Sequence, residues 1–282
     1  GKYFTLEEYR KLIEADQTDK DGNVVYLYTT DPTAQYNYIK DATDKGYNVL
    51  VMDGQLDSHF VAMLASKIDK SRFVRVDSDI ISNLIRKADK PDVNLSASER
   101  EILTSIFRSQ IPAVEKSEFL VSFEALGESD APLLLTQNEY MRRMKEMAAL
   151  QPGMNFYGEL PDSYTMVVNT NNPLISKIKD NADEAIAGKI NPLLESINAN
   201  NDKINSLRES SKDKAMPEDD SKEIDNLENA NGKSREDMAA IASDYAKTQP
   251  VVRQLIDLAL LGSGLLKGKA LSAFIKRSVE LL

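Results

Sequence analysis

A single histidine, His59, and the absence of cysteine narrow the chemistry this sequence can carry. A serine-histidine-aspartate triad would have to form around His59, and a zinc site would be nearly all carboxylate, which zinc disfavours against nitrogen and sulfur donors. GSGLLKGKA, residues 262–270, invites comparison with a phosphate loop. Its Gly262 and Gly268 stand one residue too far apart, Ala270 replaces the magnesium-binding hydroxyl, and no strand precedes it, so it reads as a helix-to-helix turn. Asp53 follows the apolar run YNVLVM, where a receiver domain would carry its phosphoacceptor. A receiver also needs an acidic pair after its first strand, which here ends Thr29, Thr30, Asp31, and Asp53-Gly54 is ordinary turn chemistry. The pattern assigns no catalytic residue and no metal ligands.

The segment TQNEYMRRMKEMAAL, residues 136–150, raises a different kind of chemistry. At helical spacing Tyr140, Met141, Met144, Met147 and Ala148 share one side, while Glu139, Arg142, Lys145 and Glu146 share the other. A methionine face is commonly core, each buried side chain contributing about 1.5 to 3 kcal/mol. Unbranched, polarizable side chains also suit a surface that accepts apolar partners of varied shape. Pattern leaves both readings open.

The elements that would position these residues follow from periodicity. Thr5 with Glu8 forms a capping box ahead of the stripe Leu6, Tyr9, Leu12, Ile13. Three β-rich runs, at 24–29, 47–52 and 72–76, alternate with helical patterns from Pro32 to Asp44 and Asp57 to Lys67, with Asp31 placed to cap the first. Such alternation predicts a three-stranded parallel sheet with helices, an α/β unit ending near residue 88. After a polar linker, Ser98 and Glu101 open a helix, two strands flank the turn GESD, the methionine helix follows, and YTMVVN supplies a third strand. Residues 89–282 thus read as an α+β domain. Within it, heptad spacing from Ile186 to Leu207 and from Ile224 to Tyr245 predicts a long helical hairpin inserted at about 176–245. Its seam is weakened by Asn200, Asn231 and Ser234, and Pro192 removes a hydrogen bond from the first helix. Residues 251–282 form two helices more apolar than a terminal hairpin requires, a face that wants a partner.

Composition agrees. A chain of 282 residues can bury more than one core without disulfides. A net charge of -10 argues against nucleic acid and anionic membrane as partners, and an acidic, cysteine-free chain suits the cytoplasm. The opening GKYFTLEEY, which lacks an initiator Met, reads as a cut from a longer chain.

TLEEY at 5–9, VVYLYTTD at 24–31, GYNVLVMDGQLD at 46–57, NTNNPLI at 169–175 and LIDLALLGSG at 255–264, in this order, resemble the ninety-kilodalton heat-shock chaperone family in its bacterial form. The resemblance covers the latter part of the middle domain and the C-terminal dimerisation domain. It implies a homodimer joined through the terminal helices, with Leu255, Leu258, Leu261, Leu271, Phe274 and Ile275 at the interface. It implies that Tyr140, Met141, Met144 and Met147 lie on a projecting helix whose apolar side contacts client polypeptides, and that His59 and Phe60 on LDSHFVAML assist. A seventy-kilodalton heat-shock co-chaperone is a further partner it suggests. It implies that ATP and magnesium are bound by the intact parent, upstream of residue 1, so that the fragment itself has no cofactor and is no enzyme. The alternative is a receiver-like signalling domain phosphorylated at Asp53. Three departures stand out: His59 where the bacterial pattern often has tryptophan, Asn172 where many members have histidine, and a much longer hairpin.

Overall fold

The computed structural model describes residues 2–54, 56–150, 160–212 and 216–280. Its first unit is the expected three-stranded parallel sheet, ordered β2-β1-β3, from β1 (Val24–Thr29), β2 (Val49–Val51) and β3 (Ser71–Arg75). Every residue of β1 is buried, because helices cover both faces of a parallel sheet. Val24, Tyr26, Tyr28 and Phe73 pack against Tyr9 and Ile13 of α1 (Leu6–Ile13) and Val61 and Leu64 of α3 (Asp57–Lys67). Val25 and Leu27 pack against Ala42 of α2 (Tyr36–Asp44) and Leu84 of α4 (Ile81–Leu84). The Thr5–Glu8 capping box is present.

Helix α2 corrects the sequence expectation. The Asp31 carboxylate accepts from the backbone N–H groups of Thr33 and Ala34, but this cap closes a turn, and the helix starts at Tyr36. Gln35 sets the later start. Its side chain is buried, accepting from the Thr29 hydroxyl at 2.6 Å and the Thr30 N–H at 3.0 Å while donating to Asp77 at 2.8 Å. Gly46, at φ +80°, lets the chain leave α2.

The second unit begins with α5 (Ala97–Gln110), capped two residues earlier than expected, by Ser96 and Glu99. The stretch SASERE holds two overlapping Ser-x-x-Glu pairs, and Lys179 selects between them by donating to Glu99 at 2.8 Å. That bond, with the Ser96 N–H, holds the Glu99 carboxyl down at about 2. Strands β4 (Ser117–Glu124), β5 (Leu133–Gln137) and β6 (Asp162–Asn169) form a mixed sheet in which β6 is central, parallel to β4 and antiparallel to β5. Helix α6 (Glu139–Leu150) joins β5 to β6.

The turn GESD therefore bridges two strands that are not neighbours, and side chains from the end of β6 hold it. Asn169, fully buried, donates to the Gly127 carbonyl at 2.9 Å and accepts from the Leu126 N–H at 3.2 Å. Asn172 donates to the Asp130 carbonyl at 3.0 Å and caps α7 (Pro173–Ser210) by accepting from the Leu174 N–H at 3.0 Å. This gives the Asn172 departure a physical role. Replacing Asn172 by Ala should cost about 1 to 2 kcal/mol, the usual loss of a cap; a urea midpoint equal to that of the parent would refute the assignment.

Helices α7 and α8 (Glu218–Lys247) form the long hairpin, whose base packs on α5. Ile186, Ile190, Ile197 and Ile204 are buried on one helix, Ile224 and Met238 on the other. The expected weak point is an amide layer: Asn200 donates to Asn231, and Asn231 donates to Asn201, both at 2.9 Å. The helix runs through Pro192, and the carbonyl that thereby loses its donor belongs to Gly188, four residues back. Helices α9 (Pro250–Gly262) and α10 (Gly268–Glu280) close the main core, which gathers Phe107, Phe123, Met166, Ile175, Ile190 and Ile256 from both sides of the sheet-helix layer.

Candidate functional site

The methionine helix is docked by its charged side. Arg142, only 5% exposed, donates to the Tyr28 hydroxyl at 3.0 Å and to Glu139 at 2.7 Å, and pairs with Glu146. Arg143 donates to the Phe73 carbonyl at 2.8 Å, and Lys145 reaches Asp162 at 2.7 Å. Burial works against the Arg142 charge, but the facing Tyr28, Glu139 and Glu146 outweigh it and raise its affinity for the proton. Just before α6, the Gln137 N–H donates to the Asp77 carbonyl at 2.9 Å, and Arg75 bridges Asp77 and the Gln137 side chain. At β3, the carboxyl end of the parallel sheet, where α/β folds commonly take a ligand, is thus covered by the second unit.

The opposite side of α6 is more open, although Ala148 on it is buried. Tyr140 is 66% exposed, and Met141 and Met144 are half-buried. Among the described residues, neither methionine joins an apolar core cluster. The Met147 side chain lies outside the described residues. Helix α3 has the same character at its outer side, where His59, Phe60 and Met63 are exposed, as is the preceding Leu56. Tyr28 is the common neighbour of the two elements: its ring packs in the cluster with Val61 and Leu64 of α3, and its hydroxyl holds Arg142 of α6.

The terminal helices divide the six expected interface residues. Leu255 and Phe274 are buried in the chain's own core, and Leu271 packs against it. Leu258, Leu261 and Ile275 are exposed, together with Val279. Gln254 donates to Ser278 at 2.8 Å, which sets the Gln254 edge of α9 beside α10. Fully buried Asp257 accepts from Arg253 at 3.2 Å and pairs with Arg277.

Along its whole length the chain is 46% identical to the chaperone protein HtpG of Bacteroides thetaiotaomicron, and 47% identical to that of Porphyromonas gingivalis. Over the segment it spans, this chain is similar to the C-terminal part of HtpG. The HtpG of Bacteroides fragilis matches it equally, at 46%. The chain spans 42% of the length of these HtpG relatives, at their C-terminal end. No family model matches it.

Similarity to HtpG along the whole chain leaves the receiver alternative without support. The structure gives a local reason as well: β2, which precedes Asp53, is a three-residue edge strand, and the following turn is closed by Asp57 accepting from the Gly54 N–H at 2.9 Å. Among the described residues no group of three or more acidic, histidine or cysteine side chains could hold a metal ion, and no helix is long and apolar enough to cross a membrane. Sequence reasoning missed two residues of this segment. Asp257 left a signal, a lone acid inside the run LIDLALL with Arg253 four residues before it. Arg142 left none, because Glu139, Arg142, Arg143 and Glu146 at helical spacing read as a self-paired, solvated face.

Proposed function

We propose that this chain is the dimerising, client-contacting part of an HtpG-type chaperone: a latter middle-domain unit to about residue 88, then a C-terminal domain. The observation that carries the reading is identity of 46% to HtpG across every residue of the chain. In the intact protein, ATP and magnesium would be handled by the portion preceding this segment, and the whole would act in the cytoplasm on unfolded or partly folded polypeptides. Tyr140, Met141 and Met144 on α6, with Phe60 and His59 on α3, supply the client surface. The exposure of Tyr140, Phe60 and His59 in a folded chain, and the soft, half-buried side chains of the two methionines, suit partners of varied shape. Leu258, Leu261, Ile275 and Val279 supply the contact to a second copy. Leu255 and Phe274 act from beneath, by supporting that surface.

Changing Met141 and Met144 together to Ser is the direct test. Binding of a reduced, permanently unfolded protein should weaken by about tenfold, equivalent to ~1.4 kcal/mol. The melting temperature should stay within about 2 °C, since half-exposed side chains outside the core contribute little to folding. Unchanged binding, or a fall in stability large enough to explain the loss, would remove α6 from the client surface.

A further inference from the structure

Helix α6 has an apolar side on which Ala148 is buried but whose Met141 and Met144 join no core cluster among the described residues, and a charged side that the first unit receives closely. An amphipathic helix normally docks the other way, apolar side inward. The inversion is possible because the charges find fixed partners: Arg142 on Tyr28, Arg143 on the Phe73 carbonyl, Glu146 beside Arg75 at 3.8 Å. The N-terminal end is held too, by Asn138 accepting from the Met141 N–H at 2.9 Å and by the Gln137–Asp77 backbone bond.

We infer that Arg142 is a positioning residue, which by docking on Tyr28 fixes the roll of α6 about its own axis and so aims Met141 and Met144 away from the first unit. Residues along a helix are separated by about 100°, so a roll pinned at position 142 sets Met144 about 200° away, on the far side, and Met141 about 100° away, on the flank. The methionines could not set this themselves, since thioether contacts have little directionality. A planar guanidinium with several donors in a fixed fork does. Tyr28 is itself immobilised, its ring being buried in the cluster with Tyr9, Val61, Leu64 and Phe73. The roll of α6 is therefore referred to the sheet of the first unit, and the two client-contact elements, α3 and α6, are registered against the same side chain. The inference rests on the reading of the methionine side as a client surface, but its first readout does not.

That readout is hydrogen exchange of the α6 backbone amides in the whole chain. Arg142→Gln should speed exchange at residues 143–148 by about tenfold while amides of β1 and β6 keep their protection, local opening being separable from global unfolding. Tyr28→Phe, which removes only the accepting oxygen, should give about a threefold increase, and Arg142→Lys should fall between wild type and Arg142→Gln. The Met141→Ser, Met144→Ser double variant should leave α6 exchange unchanged. Unchanged α6 protection in Arg142→Gln overturns the inference, and so does faster exchange spread equally over β1 and β6, which would make Arg142 a general stabiliser. The second readout is binding of the unfolded protein, expected to weaken about fivefold in Arg142→Gln. If the double methionine variant binds normally while Arg142→Gln frees α6, the client surface lies elsewhere and the positioning role stands.

Discussion

Glutamate at both Leu258 and Ile275 is expected to convert a dimer of this chain into a monomer with almost no change in melting temperature. The two side chains are 48% and 52% exposed in the folded chain, so charge there costs folding little. Across an interface between two copies each substitution is present twice, and four carboxylates would have to lose water against apolar neighbours. A rise in the dissociation constant of at least about a hundredfold, near 3 kcal/mol, is the expected minimum. Light scattering or sedimentation at micromolar concentration reads it directly. A double variant that remains dimeric would place the interface elsewhere. Deleting α9 and α10 is a poor substitute for this test, because Val252, Leu255, Ile256 and Leu260 would leave the main core with them.

Removing the Asp257 carboxylate should have the largest effect on folding. It is fully buried and stands between Arg253 and Arg277, so it ties α9 to α10; Arg253 also donates to the Gln110 carbonyl at 2.6 Å, which ties both to the end of α5. Asp257→Ala leaves two guanidinium groups facing each other without a counter-charge, at a cost of about 3 to 5 kcal/mol. Converting all three residues together to apolar side chains of similar volume should restore most of the loss, since the expense lies in the orphaned charges. Guanidinium melts of the single and triple variants decide it: a single variant within about 1 kcal/mol of the parent would mean the pair is not structural.

Local patterns were legible where a short stretch of sequence settles the matter. Strand β1 reads correctly from VVYLYT, the Thr5–Glu8 box from four residues, and the hairpin from its heptads. They misled where a distant residue arbitrates. Lys179 chooses Ser96 and Glu99 over the overlapping pair Ser98 and Glu101, and Gln35, drawn to Thr29 and Asp77, delays α2 beyond Asp31 and Pro32. The same limit governs the sites. Two faces of the methionine helix follow from spacing, but which one docks depends on Tyr28 and the Phe73 carbonyl, more than 65 residues away in the chain. Apolar excess in the last two helices signals an uncovered surface, yet only packing separates Leu255 and Phe274, which are inside, from Leu258 and Ile275, which are outside.

The amide layer of the long hairpin has a kinematic consequence. Isoleucine seams are smooth: two helices carrying only such residues can slide by a heptad and still bury much the same surface. Asn200, Asn201 and Asn231 satisfy one another at one setting alone. A slip would strand the buried Asn231 without its amide partners, at about 1 to 3 kcal/mol for an unpaired buried group. The layer therefore works as a detent, fixing the lengthwise setting of one helix of the arm against the other.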